Sequence, residues 1–288
     1  MYNTIIIGAG PAGMASALYL KRSGIKTLII DKNVPGGQIT ETNIIENYLG
    51  IDSINGADLA LKMFNQIKKI DVEYVYGEVV SIEKKDNFIV KTNEKEYKCK
   101  NIIIAVGKTH NKLGLENENI KGISYCAVCD GAFYKEKTVM VVGAGNSAYT
   151  QAIYLSSLAN KVYIVNRSEN IKADKGLIEK AQNKENIIYL SNAKITKING
   201  NNKLESIIIN DKIKIDTDGL FIAIGGKPNI NFIKEIKEEN NYIIVNKKMQ
   251  TNIKGIYAVG DVIKKDYYQI ATAINDGVIA ALTIKESE

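Results

Sequence analysis

The chain has 288 residues and a formal net charge of +6 at neutral pH, long enough for two domains of roughly 150 residues each. With 45% hydrophobic and 24% charged residues it has the composition of a globular protein, which excludes an intrinsically disordered chain and a disulfide-stapled miniprotein. No apolar run approaches the roughly 20 residues that span a bilayer, and no basic block interleaved with aromatics points to nucleic acid.

Residues 1–4 run directly into an apolar strand without the basic and apolar regions of a secretory leader, so a cytoplasmic protein is expected. Residues 5–32, IIIGAGPAGMASALYLKRSGIKTLIIDK, read as a β-branched strand, a glycine turn, a helix-period stretch and a second strand. In Gly8-Ala9-Gly10-Pro11-Ala12-Gly13 the first glycine permits the tight turn, and the second lets backbone approach a pyrophosphate. The third lets helix and strand pack closely. The diphosphate then sits at the positive end of the helix dipole. Asp31, closing the second strand, is suited to accept hydrogen bonds from the adenosine ribose of FAD or NAD.

Residues 72–107 read as strands and turns ending at Ile102-Ile103-Ile104-Ala105-Val106-Gly107. Next comes Cys126-Ala127-Val128-Cys129-Asp130-Gly131. Three cysteines are an odd number and only two are close together, so this is no disulfide framework, and two thiols are too few for a structural zinc site. Two thiols three positions apart suit thiol–disulfide chemistry, and Asp130 beside the second could move a proton. A metal half-site shared across a dimer, or incidental thiols, stay open at this point. Cys99 has no partner in sequence.

Residues 140–167, MVVGAGNSAYTQAIYLSSLANKVYIVNR, repeat the first unit at an offset of 135, with Gly143 on Gly8, Gly145 on Gly10 and Ala148 on Gly13. Asn166 falls where the first copy has Asp31, followed by Arg167 and Ser168. A run matching 102–107 follows at 220–226. Residues 255–261 then lead into an apolar helix from about Gln269 to Ile284. Two β-α-β copies in this order predict an α/β protein of two doubly wound, Rossmann-like nucleotide-binding domains, the second inserted into the first. The expected domains are 1–112 with 234–288, and the insertion 113–233.

Taken together, Gly8-Ala9-Gly10-Pro11-Ala12-Gly13, Gly36-Gly37-Gln38, Glu46-Asn47, the CxxCDG segment and Gly260-Asp261 resemble the low-molecular-weight thioredoxin reductases over essentially the whole chain. The resemblance implies FAD cradled by the first motif, with Gly37, Gln38 and Asn47 flanking flavin and ribityl. Gly107 would border the same pocket, Gly260 and Asp261 would hold the ribityl–phosphate end, and residues from Gln269 and Ile270 onward would cover the isoalloxazine. It also implies that Cys129 lies nearest the flavin, that Cys126 attacks the thioredoxin disulfide, that Asp130 transfers protons, and that the protein is a homodimer.

The departures from the family pattern have implications of their own. The family's NADPH signature, His-Arg-Arg-x-x-x-Arg, stands here as Asn166-Arg167-Ser168-Glu169-Asn170-Ile171-Lys172. Thr150-Gln151 replaces the usual acids, and Tyr268-Gln269-Ile270 the usual Arg-Gln-Ala. These changes resemble the pyridine-nucleotide-independent branch, which implies reduced ferredoxin as electron donor in place of NADPH. The alternative is an NADPH-dependent reductase using Arg167 and Lys172. A flavin dithiol oxidase running the same relay backwards is a third reading.

Overall fold

Unbroken apolar strands are stable only when both faces are covered, and the isoleucine-rich runs of this chain accordingly lie at the centres of parallel sheets. The structure is a computed structural model describing residues 1–42 and 44–288. The chain forms two units, Met1–Thr109 with Lys227–Glu288, and His110–Gly226.

The first unit opens with the β-α-β of β1 (Tyr2–Ile7), α1 (Pro11–Arg22) and β2 (Thr27–Asp31), followed by α2 (Gly56–Lys68) and β3 (Glu73–Tyr76). Next come β4 (Val79–Lys84), β5 (Phe88–Thr92) and β6 (Glu96–Ile104). The strand order is β3-β2-β1-β6-β5-β4, parallel from β3 to β6 and antiparallel beyond. Ile7 lies opposite Ile104, which sets the glycine turn after β1 beside the end of β6. Ile5, Ile6, Ile102, Ile103 and Ile104 are fully buried. Cys99 is buried on β6 as well, and burial pushes its thiol up to about 12, so it is a packing residue.

The chain crosses along β7 (Thr109–His110) into β8 (Ile123–Ser124), the short α3 (Ala127–Asp130), β9 (Thr138–Val142), α4 (Asn146–Ser156), β10 (Lys161–Val165), α5 (Lys175–Gln182) and β11 (Ile187–Leu190). A three-stranded antiparallel sheet, β12 (Ile195–Asn199), β13 (Ser206–Ile209) and β14 (Ile213–Asp216), precedes β15 (Gly219–Ile222). The parallel sheet has the order β11-β10-β9-β15-β8. The chain returns along β16 (Gly226–Lys227) and passes a small hairpin of β17 (Glu238–Glu239) and β18 (Tyr242–Ile243). It then adds β19 (Ile256–Ala258) parallel to the second half of β6. The closing helix α6 (Ile270–Ser287) lies along α1, where the Ser16 hydroxyl donates to the Gly277 carbonyl at 3.0 Å.

The units change at 109/110 and 226/227, whereas the order of the sequence motifs put the insertion at 113–233. Residues 227–233 go with the first unit because Ile230 and Ile233 are buried in its core and Ile82 N–H donates to the Phe232 carbonyl at 3.0 Å. Residues 110–112 go with the second, where Asn111 N–H donates to Gly225 O at 3.0 Å and its amide to Ile224 O at 3.2 Å. The apolar and amide side chains within the two stretches decide their allegiance.

Candidate active site

The glycine turn of the first unit is dictated by its neighbours. Gly8 has φ +108°, and a Cβ there would lie 2.3 Å from the Ala105 carbonyl oxygen. A Cβ on Gly13 would lie 2.0 Å from the Gly8 carbonyl oxygen. Gly10 differs: it caps α1 with ordinary extended dihedrals and no side-chain cap, and a Cβ there would meet nothing within 4 Å. With Pro11 as the first helical residue and Ala12 buried behind it, the helix presents backbone donors and its positive end to open space. The space at Gly10 and the free helix terminus fit a dinucleotide diphosphate. Asp31 at the end of β2 accepts from Ala9 N–H at 2.5 Å and from Asn33 N–H at 2.8 Å. Gly36 N–H donates to Ala9 O at 2.8 Å, which brings Gly37 against Gly10.

Around this cradle the remaining segments interlock. Gln38 donates from Nε2 to the Lys108 carbonyl at 2.7 Å, immediately after Gly107 at φ +62°. Asn47 donates from Nδ2 to Gln269 Oε1 at 3.3 Å, and Gln269 caps α6 through a reciprocal pair with Thr272. Ile270, the first residue of α6, packs against the cluster of Ile39, Ile45 and Leu59. Gly260 N–H donates to Asp276 Oδ2 at 3.2 Å. Asp261 stands 3.8 Å from the ammonium groups of both Lys108 and Lys265. Burial raises the Asp261 carboxyl and lowers the Lys108 ammonium, each against the pull of the other. The structure thus joins the glycine motif, Asp31, Gly37, Gln38, Gly107, Gly260 and Asp261 in one network, with Asn47, Gln269 and Ile270 adjoining.

Cys126, Cys129 and Asp130 lie in the second unit. Cys126 and Cys129 form a disulfide with their Cα atoms 5.3 Å apart, spanning the first turn of α3. Cys129 N–H points at Cys126 Sγ over 3.2 Å, so a backbone donor is placed to hold negative charge on that sulfur when the pair is open. Asp130 is half-buried; burial raises its carboxyl above the usual range, and the Ser124 hydroxyl, donating to it at 2.6 Å, pulls the other way. The turn is anchored by Ser124, whose Oγ accepts from Cys126 N–H at 3.0 Å, and by Gln151 of α4, whose Oε1 accepts from Ala127 N–H at 3.1 Å.

The second glycine turn has the same backbone. Gly143 (φ +148°) stands against Ala223, and a Cβ on Gly145 would meet nothing within 4 Å. The strand end beyond it is different. Asn166 is buried, its amide nitrogen turned to the carbonyl oxygens of Gly143 and Val165. Arg167, Ser168 and Lys172 are exposed. The Lys172 N–H donates to Ala144 O at 2.8 Å, and Asn146 and Asp174 exchange two hydrogen bonds of 2.8 Å, so residues 172–174 lie against the loop.

Sequence reasoning missed Lys108, Ser124 and Gln151 as site residues. Ser124, two residues before Cys126, carried a local signal as a candidate turn cap. Gln151 and Lys108 meet their partners across 24 and 70 positions and carried none.

A family model for pyridine nucleotide-disulphide oxidoreductases matches residues 2–277. Thioredoxin reductase of Mycoplasma genitalium is 41% identical over 99% of this chain and 95% of its own length. The crystal structure of thioredoxin reductase from Streptococcus pyogenes superposes with a TM-score of 0.94 at 41% identity, over 99% of this chain and 97% of that one. The ferredoxin-flavin thioredoxin reductase of Clostridium acetobutylicum is 30% identical with a TM-score of 0.56, over 99% and 97%. Those identities do not carry the expected ferredoxin branch.

Proposed function

The chain belongs to the thioredoxin reductases of the pyridine nucleotide-disulphide oxidoreductase family, and we propose that it reduces the disulfide of thioredoxin through Cys126 and Cys129, with FAD as cofactor and NADPH as electron donor. The observation that carries the reading is the Cys126–Cys129 disulfide on a turn held by Ser124 and Gln151, with Asp130 beside it. Bound FAD supplies two-electron reduction of that disulfide.

The Gly8–Gly13 motif receives the diphosphate, Asp31 the adenosine ribose, and Gly37, Gln38, Asn47, Gly107, Gly260, Asp261, Gln269 and Ile270 border the rest of the cofactor. In the reduced protein the Cys126 thiolate, facing Cys129 N–H, attacks one sulfur of the substrate disulfide. A mixed disulfide forms and one substrate thiolate leaves. Cys129 then attacks Cys126, which re-forms the internal disulfide and releases the second substrate thiolate. Asp130, kept protonated to higher pH by burial, supplies a proton to a departing sulfur. A cytoplasmic homodimer is part of the same reading, carried by the resemblance.

NADPH is preferred to ferredoxin because the family is one of pyridine nucleotide enzymes, the Gly143–Gly145 turn leaves open space at Gly145, and Arg167 and Lys172 present exposed cations. One observation favours ferredoxin instead: Asn166 is turned into its own loop and Ser168 offers no guanidinium for a 2′-phosphate. An anaerobic absorbance titration separates the two. NADPH is expected to bleach the flavin stoichiometrically within seconds. Bleaching by reduced ferredoxin with none by NADPH overturns the donor assignment and leaves the disulfide chemistry standing.

A further inference from the structure

Tyr268 precedes Gln269 where the resemblance gives arginine, and the structure sets a cation against its ring. Lys108 follows Gly107, and its Nζ lies 3.6 Å from the centroid of the Tyr268 ring, within reach of a cation–π contact. Its main chain is tied to Gln38, and its side chain, 14% exposed, points toward Asp261. Lys108 therefore touches three segments to which the functional reading assigns the cofactor.

Its ammonium is poorly compensated. Among the described residues the one carboxylate within 4 Å is Asp261, at 3.8 Å, an ion-pair distance and too long for a hydrogen bond. Asp261 is shared with Lys265, which also has Asp276 at 2.7 Å. A buried ammonium without a close acceptor is costly, and the cost is relieved when an anionic or acceptor-rich group arrives. FAD carries a charged diphosphate and carbonyl acceptors, and two electrons with one proton leave it one unit more negative.

We infer that Lys108 is a cofactor-positioning residue that supplies a cation beside position 268, holding FAD in place and favouring its reduced form. The inference rests on the FAD reading above, and the experiment separates the two. Wild-type holoenzyme and the variants Lys108→Met, Lys108→Arg and Lys108→Met with Tyr268→Arg are compared for flavin release on dilution, read by fluorescence, and for midpoint potential by dye equilibration. Lys108→Met is expected to release FAD with an about tenfold higher dissociation constant. It is also expected to lose about tenfold in preference for reduced over oxidised flavin, ~30 mV for a two-electron couple. Lys108→Arg and the double variant are expected to return both within about threefold of wild type.

A wild type that neither carries nor takes up FAD overturns the functional reading. A flavin-bearing wild type beside a Lys108→Met variant of unchanged affinity and potential overturns only the role of Lys108. A loss of thermal stability with both readouts unchanged does the same. If Lys108→Met is insoluble, Lys108→Gln, uncharged but still a donor, decides: unchanged potential and affinity overturn the inference, and a lowered potential supports it.

Discussion

Gly8 and Gly143 both take positive φ and stand against the carbonyl of an alanine just past the neighbouring strand, Ala105 in one unit and Ala223 in the other. Asp31, which closes the second strand of the first β-α-β, and Asn166, which follows that of the second, behave in opposite ways. Asp31 lies partly exposed and accepts from the backbone of its own loop, while Asn166 is buried and donates into its loop. The glycine turn is thus required by strand–helix packing in both units, whatever binds there. What distinguishes a ligand is the strand end, where the first unit keeps an acceptor and the second keeps one arginine, one lysine and a buried amide.

The sharpest way to break that comparison is to fill the two spaces the turns leave open. Gly10 and Gly145 have negative φ, and a Cβ at either meets nothing within 4 Å, so valine at each should cost no more than about 1 kcal/mol of stability. Gly10→Val is expected to yield colourless protein, with FAD affinity down at least about a hundredfold, because branched carbon replaces the space for the diphosphate. Gly145→Val is expected to keep its flavin and raise the KM for NADPH about tenfold, leaving thioredoxin reduction by pre-reduced enzyme intact. A Gly145→Val enzyme with an unchanged KM would make the second turn a retained scaffold.

A smaller effect separates the two strand ends. Replacing Asn166 with alanine leaves a buried carbonyl without its donor, which costs about 1–3 kcal/mol. Asp31→Ala vacates half-exposed space through which water can enter to the N–H groups of buried Ala9 and exposed Asn33, and should cost less than about 1 kcal/mol in the cofactor-free protein while weakening FAD binding. Thermal unfolding of the cofactor-free variants, paired with flavin release, tests both. Equal destabilisation at the two positions would contradict the opposite roles assigned to them.

These contrasts also mark what the sequence could carry. The repeat at offset 135 made both β-α-β units legible, because a strand, a glycine turn and a helix-period run are local patterns. The dithiol was legible for the same reason. The unit boundaries were not, since Ile230 and Ile233 commit residues 227–233 to a core built from strands far away in sequence. Nor was Lys108, whose meaning depends on Gln38, Asp261 and Tyr268 arriving from three other segments. The departures at Asn166 and Ser168 were plainly legible, but their weight was overestimated. The open space at Gly145 and the two exposed cations fit the proposed nucleotide donor.

The two units also differ in how they treat a half-buried carboxylate. Asp261 faces the ammonium groups of Lys108 and Lys265, whereas among the described residues Asp130 has only the Ser124 hydroxyl. Burial raises Asp130 above the usual carboxylate range, so its folded-state pKa exceeds the unfolded one. The stability tied to that proton is fully present below the unfolded value and is lost as pH rises through the folded one. Asp130→Asn, neutral throughout, should therefore match wild type near pH 3 and become the more stable protein toward neutrality, read by urea unfolding with the disulfide intact. Ser124→Ala removes the one contact that lowers the carboxyl, and should shift the loss to higher pH. A wild type whose margin over Asp130→Asn instead grows with pH would mean that a cation, as at Asp261, compensates the charge in solution.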